Sequence, residues 1–201
     1  MKNIELEKRV CELTADLDSC HDFSHTLRVI ELARKIALVE GGNQEIIYLA
    51  SLLHDIGRII RNRSKHHAVL GAEMARDILS DFAFEENKIN QVVQAIASHS
   101  KSAGIPCQSL EAKILYDADK VDALGAIGLA RLFADAGSKD IPLYDYLPNL
   151  KKKGICTDLL REDRQIVESL YTVTGRRLAE KRYNFEEMFL GQMEREIGRK
   201  I

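Results

Sequence analysis

Apolar residues recur at helical spacing through almost the whole chain, and no stretch alternates apolar and polar residues as a half-buried strand does. That pattern predicts an all-α fold of roughly eight helices. Ile4, Leu6, Val10 and Leu13 mark a short amphipathic first helix. A second stripe, over residues 21–39, runs through Leu27, Ile30, Ala33, Ala37 and Leu38 until Gly41-Gly42 ends it. Asn43 is placed to cap a third helix over residues 44–57, where Ile46, Ile47, Leu49, Ala50, Leu52 and Leu53 cover so many sides that the helix is expected at the centre of the fold. The basic stretch 58–66 reads as a loop. Helices follow over residues 67–79 and 85–98, and Gly104-Ile105-Pro106 is a breaker. Ser109 caps a long run over residues 110–134, expected to bend at Gly125-Ala126-Ile127-Gly128. The pattern is lost over residues 136–154, a length of irregular chain often tied to function. Two more helices are predicted, one over residues 158–181 and one capped by Asn184, with Glu187 in the capping-box position.

Composition narrows the class. A chain of 201 residues with 45% hydrophobic and 30% charged residues is globular and large enough to bury a core without disulfides. Basic residues number 29 and acidic residues 31, a net charge of -2, so the basic excess of a nucleic-acid binder is missing. No segment approaches the roughly 18 apolar residues of a membrane helix. The opening Met1-Lys2-Asn3-Ile4-Glu5 turns acidic at once and has no apolar core, so no signal peptide is expected there. Cys11, Cys20, Cys107 and Cys156 fit neither a zinc knuckle nor a CxxC pair, so they are expected to be reduced thiols in the cytoplasm. The apolar C-terminal faces leave a homo-oligomer open.

Six histidines carry most of the functional signal: His21, His25, His54, His66, His67 and His99. His21 and His25 share one helix face. His54-Asp55 ends the most apolar helix, and Asp119 sits inside another apolar run, where a carboxylate is costly unless paired or bound to a metal. Imidazole and carboxylate together suit iron, manganese, zinc or cobalt. Core or capping histidines and paired aspartates are the plainer alternative.

His25, the doublet in Leu52-Leu53-His54-Asp55-Ile56-Gly57-Arg58, and the distant Asp119 resemble the pattern of the HD-domain metal-dependent phosphohydrolases. His67, in His67-Ala68-Val69-Leu70-Gly71-Ala72, and His99 resemble the further histidines of the two-metal members. The H-x-x-x-G spacing to Gly71 favours His67 over His66, which is expected at an exposed loop end. The run from Tyr116 through Asp119 and Asp122 to Arg131, with His21-Asp22-Phe23-Ser24-His25 and the C-terminal Arg182-Tyr183-Asn184-Phe185, resembles the YedJ-like predicted hydrolases over nearly the whole chain. The resemblance implies a helical HD-type domain spanning 1–201. Its metal core lies in 21–135, and the irregular segment and C-terminal helices of 136–201 complete it.

It also implies one or two divalent transition-metal ions, iron or manganese favoured and zinc, cobalt, nickel or magnesium open, held by His25, His54, Asp55, His67, His99 and Asp119. Asp55 would bridge two ions; with one ion, His67 and His99 turn to phosphate or water. Asp55, His67, His99 and Asp122 are the candidate catalytic groups, and Arg58, Arg28, Lys120 and Lys139 the candidate substrate contacts. Asp122 has a structural alternative as a partner for Arg131, and Asp22 either orients His25 or pairs with Arg28. Tyr144 and Tyr146 either pack on the core or stack on a base.

The implied activity is hydrolysis of a phosphoric ester or anhydride in a small molecule, a nucleotide among the candidates, by metal-activated water. A symmetrical dinucleoside-tetraphosphate hydrolase and a metal-stabilised nucleotide-binding or signalling module without turnover are the alternatives. The chain lacks the carboxylate that nucleotidase-like members carry after the doublet and the GYP motif of cyclic-dinucleotide phosphodiesterases.

Overall fold

The computed structural model describes residues 2–18, 21–60, 65–145, 154–198 and 200. Among them there is no strand, and nine α-helices follow in order: α1 Lys2–Leu13, α2 Phe23–Glu40, α3 Gln44–Leu53, α4 His67–Asp81, α5 Glu86–Ser98, α6 Leu110–Asp122, α7 Gly125–Ser138, α8 Leu159–Ser169 and α9 Val173–Ile197. Two short 3-10 turns, Ile56–Ile59 and Lys101–Ala103, follow α3 and α5. The chain divides into two compact units, Met1–Asp119 with Tyr171–Thr174, and Lys120–Leu170 with Gly175–Ile201. No helix among the described residues is long and apolar enough to cross a membrane.

In the first unit α3 is the central helix, as its all-round apolar sequence predicts: Ile46, Ile47 and every residue from 49 to 53 are buried. Its start is fixed by Asn43, whose side chain accepts hydrogen bonds from the Glu45 and Ile46 N–H groups. Its end differs from the prediction. The α-helix stops at Leu53, and the chain tightens into the 3-10 turn Ile56–Ile59, which takes in Arg58 from the expected loop. Gly57 allows this turn to lie against α4: a Cβ there would stand 2.1 Å from the His67 carbonyl oxygen and 2.4 Å from the Gly71 nitrogen.

The long run over residues 110–134 is two helices. α6 ends at Asp122 and α7 begins at Gly125, which has φ +78, a conformation costly for any residue with a Cβ. In the second unit, Leu129, Cys156, Leu159 and Leu190 form a core completed by Phe133, Phe189 and their neighbours. The C-terminal boundaries also depart from the prediction. Asn184 and Glu187 are exposed positions inside the continuous helix α9, not a cap and its box partner. The break falls at residues 170–172 instead, because the buried Asp117 carboxylate accepts hydrogen bonds from the Tyr171 and Thr172 N–H groups and the Thr172 hydroxyl. A long-range acceptor thus supplies the cap, and local sequence could not reveal it.

The irregular stretch begins later than predicted, after Ser138. Residues 142–143 are tied to residues 155–156 by two backbone hydrogen bonds of 2.8 and 3.0 Å, which hold the half-buried Tyr144 beside them. Tyr146 and Cys20 lie outside the described residues, while Cys11, Cys107 and Cys156 are free thiols.

Candidate metal centre

Five helix ends bring the cluster together. Asp22 caps α2 by accepting a 3.0 Å hydrogen bond from the His25 N–H, and so fixes the first turn that carries His25. The Ser24 hydroxyl also donates to Asp22 at 2.6 Å. Burial alone would raise the Asp22 carboxyl, but these two hydrogen bonds and Arg28 hold it below the usual carboxylate range. His54 and Asp55 leave the C-terminus of α3, His67 opens α4, and His99 follows the last residue of α5. Asp119 lies in the last turn of α6.

These side chains converge as two trios, His25 with His54 and Asp119, and Asp55 with His67 and His99; within each, the ligand atoms lie within 4.8 Å of one another. In the first trio His25 Nε2 is 3.3 Å from His54 Nε2 and 3.4 Å from Asp119 Oδ1. Asp55 joins the two. Its Oδ2 faces His25 Nε2 at 3.8 Å and His54 Nε2 at 3.7 Å, and its Oδ1 faces His67 Nε2 at 3.7 Å and His99 Nε2 at 3.6 Å. Metal bonds of about 2.0–2.2 Å place adjacent ligands roughly 3–3.5 Å apart, close to these separations.

The donor chemistry fits divalent transition metals. The buried His67 Nε2 has no hydrogen-bond partner, and Asp55 Oδ1 has only the ion pair with Arg58 Nε, which does not form a hydrogen bond; an ion would satisfy both acceptors. His54 Nδ1 lies 2.8 Å from the Ser51 carbonyl oxygen and His99 Nδ1 2.7 Å from that of Ile96. Each carbonyl accepts from the Nδ1–H and leaves the Nε2 lone pair for the cluster. Burial pushes His54 down to about 4 and His67 down to about 3, so both rings are neutral at neutral pH, the state in which an imidazole can ligate a metal. Burial would raise Asp55, but His54, His99 and Arg58 hold it far below the usual carboxylate range.

The remaining predicted site residues stand in different places. Arg58 is at the cluster, its Nε 2.8 Å from Asp55 Oδ1. Arg28 donates to the Ser24 hydroxyl at 3.1 Å, one turn from His25. Asp122 is fully buried and paired with Arg131 at 2.8 Å, the structural arrangement anticipated as its alternative, and neither ligand trio includes it. Lys139 is exposed and pairs with Asp135 at 2.7 Å. Lys120 is half-buried in the last turn of α6. His21 lies 6.2 Å from the His25 ring and bonds Asp18 at 2.9 Å.

His66 has a role the sequence reading missed. It is half-buried rather than a loose loop end. Its Nδ1 accepts from the Ala68 N–H and caps α4, while its Nε2 bonds the Ser102 hydroxyl at 2.8 Å. It therefore ties the start of α4, which carries His67, to the turn that follows His99. Its position just before a helix was the available signal.

Known proteins share this arrangement of sequence and fold. Residues 22–124 match the HD domain family model. The Bacillus subtilis protein YpgQ is 31% identical over 193 residues, covering 94% of this chain and 90% of YpgQ. The crystal structure of an HD-superfamily hydrolase from an uncultured Thermotogales bacterium superposes with a TM-score of 0.70 at 33% identity, covering 96% of this chain and 91% of that one. The structure of B. subtilis YpgQ in complex with ADP superposes with a TM-score of 0.75 at 26% identity over 98% of this chain and 97% of that one. The matched segment runs from the cap of α2 past Asp119 and so contains all six clustered residues, and the chain belongs to the HD-domain family.

Proposed function

We propose that this chain is a metal-dependent phosphohydrolase that cleaves a phosphoric ester or anhydride in a small molecule, a nucleotide in preference to others. The observation that carries the reading is the division of Asp55, with one carboxylate oxygen toward His25 and His54 and the other toward His67 and His99. A carboxylate so divided suits two cations roughly 3.5–4 Å apart. His25, His54, Asp55 and Asp119 would hold one ion, and Asp55, His67 and His99 the other. The nitrogen and oxygen donors suit iron, manganese, zinc or cobalt, and the family resemblance favours iron or manganese among them.

Such ions supply Lewis-acid stabilisation of phosphoryl charge and lower the pKa of water. The protein's own groups do the rest. The backbone carbonyls of Ser51 and Ile96 hold the His54 and His99 rings in the ligating tautomer. Arg58, at the edge of Asp55 and 23% exposed, offers a fixed charge and paired donors for a phosphoryl oxygen. Protein nucleophiles have no part in this reading. The Cys107 and Cys156 thiols are buried, and burial raises both, Cys156 to about 11. The ADP complex of YpgQ supports a nucleotide as the substrate class.

Elemental analysis of protein purified without chelator or metal-binding tag tests the reading, with Asp55→Ala alongside and hydrolysis screened on nucleotides and simple phosphoesters. Two ions per chain, absent from the variant, and metal-dependent phosphate release are expected. Protein that takes up no iron, manganese, zinc or cobalt after anaerobic reconstitution overturns it.

A further inference from the structure

The imidazole rings of the cluster are not all held in the same way. His54 and His99 each have a backbone carbonyl at Nδ1, at 2.8 and 2.7 Å, which turns Nε2 toward the cluster. His67 has no such partner. Among the described residues no hydrogen bond reaches its ring. An imidazole without an orienting partner gives up rotamer freedom when it ligates, and its affinity for a cation falls accordingly.

The group that lies against His67 is the ring of His66. The two centroids are 4.2 Å apart with the planes tilted by 39°, closer than the 5.4 Å that separates His67 from the His99 ring. The His66 ring is itself pinned at both nitrogens. Its Nδ1 accepts from the Ala68 N–H at 3.2 Å, so the proton of the neutral ring is on Nε2, which donates to the Ser102 hydroxyl at 2.8 Å. Ser102 then has its own hydrogen for the Ser100 hydroxyl, 3.0 Å away, and Ser100 is a buried residue next to His99 in the chain. Capping explains only part of this arrangement. An asparagine or serine caps a helix as well as His66 Nδ1 does, so the cap requires neither an aromatic ring nor the bond to Ser102.

We propose that His66 is the positioning residue of the second ion: its ring, fixed at both nitrogens, holds the His67 imidazole in the ligating orientation that no hydrogen bond supplies. This rests on the two-ion reading and deepens it. None of His25, His54 and Asp119 belongs to the relay from Ala68 through His66 and Ser102 to Ser100, so its effect is confined to the ion of Asp55, His67 and His99.

Two substitutions separate the ring from the cap. His66→Asn keeps a cap for α4 and removes the ring, and Ser102→Ala removes one pin at an exposed position where the fold has little to lose. Manganese is titrated calorimetrically into the full, metal-depleted chain and each variant. His66→Asn is expected to weaken the second ion about tenfold or more, the range for a lost orienting partner, and Ser102→Ala to weaken it severalfold, with the first ion unchanged in both. A second ion of native affinity in both variants, or two ions weakened alike, overturns the proposal. Ring-nitrogen NMR spectra of the metal-depleted protein give a readout that needs no ion. His66 is expected as the Nε2–H tautomer, and the His67 ring signals are expected to change in His66→Asn. An Nδ1–H His66, or His67 signals indifferent to its replacement, also overturns the proposal. Failure of the two-ion reading looks different: the native chain itself takes up fewer than two ions, and the proposal falls with it.

Discussion

A methyl group placed on Gly57 would stand 2.1 Å from the carbonyl oxygen of His67. The same Cβ would meet the Gly71 nitrogen at 2.4 Å, so two backbones are in contact with no side chain between them. This approach holds the turn after Asp55 against the first turn of α4, which carries His67. Gly57→Ala must push the two apart, because neither obstacle is a flexible side chain. Overpacking of this kind costs about 3 kcal/mol, or a Tm lower by roughly 6–12 °C in a chain of this size. The second ion should be lost as Asp55 and His67 separate. Gly71→Ala meets the His54 carbonyl only at 3.2 Å and should cost much less. Calorimetric melting and elemental analysis check both variants, and a Gly57→Ala protein with native Tm and full metal content refutes the argument.

The division of ligands makes the substitutions distinguishable. Asp55→Ala touches both trios and should abolish both ions. His67→Ala should spare the ion at His25, His54 and Asp119, while Asp119→Ala should weaken that ion first. An ion held at one hundred times its dissociation constant raises stability by about 2.7 kcal/mol, so each loss should also remove part of the metal-induced rise in Tm. Equal stoichiometry in His67→Ala and Asp119→Ala preparations, both at zero, would argue for a single shared site.

Arg58 places a positive charge beside an oxygen proposed to hold a cation, so it opposes metal as it favours phosphate. Arg58→Ala is expected to tighten manganese binding severalfold and to lower kcat/KM for phosphate release by about 10–100-fold, the range of a lost charge-assisted contact. Arg58→Lys keeps the charge without the planar fork and should fall between them. Metal titration and steady-state kinetics separate the two effects, which must move in opposite directions.

The first unit gives the metal-depleted protein an acid limit. Burial lowers His54 to about 4 and His67 to about 3, from 6.5 for each. The unfolded chain therefore takes up protons that the folded chain refuses, and stability falls as pH drops below about 6.5. In chelator-treated protein His67→Gln should flatten part of that decline in Tm, and an unchanged slope would place the acid sensitivity elsewhere.

Helical spacing and the order of histidines and aspartates made the all-α class and the clustered residues legible before any coordinates. Asn43 and Ser109 cap helices as read, because a cap is a local event involving three or four residues. Non-local events were hidden. The start of α9 depends on Asp117, over fifty positions away, which defeated the local signal at Asn184. His66 looked incidental because its partner Ser102 is 36 positions distant. Asp122 illustrates a choice that sequence left open: its place in a familiar motif suggested chemistry, and its burial against Arg131 matches the structural alternative.

The second unit carries an alkaline limit of opposite sign. Glu186 is buried on α9, where it accepts a hydrogen bond from the Gly125 N–H at the start of α7. Burial first, and then the Asp163 carboxylate of α8, raise it well above the usual glutamate range, and the Gly125 N–H and Arg182 only partly offset them. A raised carboxyl keeps its proton in the folded state after the unfolded chain has released it. Its contribution is complete below the ordinary glutamate pKa and is lost as pH climbs through the folded value. Beyond that point two buried carboxylates face each other as like charges. Tm should therefore decline between about pH 5 and pH 9, and Glu186→Gln, which still accepts from Gly125, should flatten the decline. If melting curves for the two proteins fall in parallel over that range, the buried acid pair is not the cause.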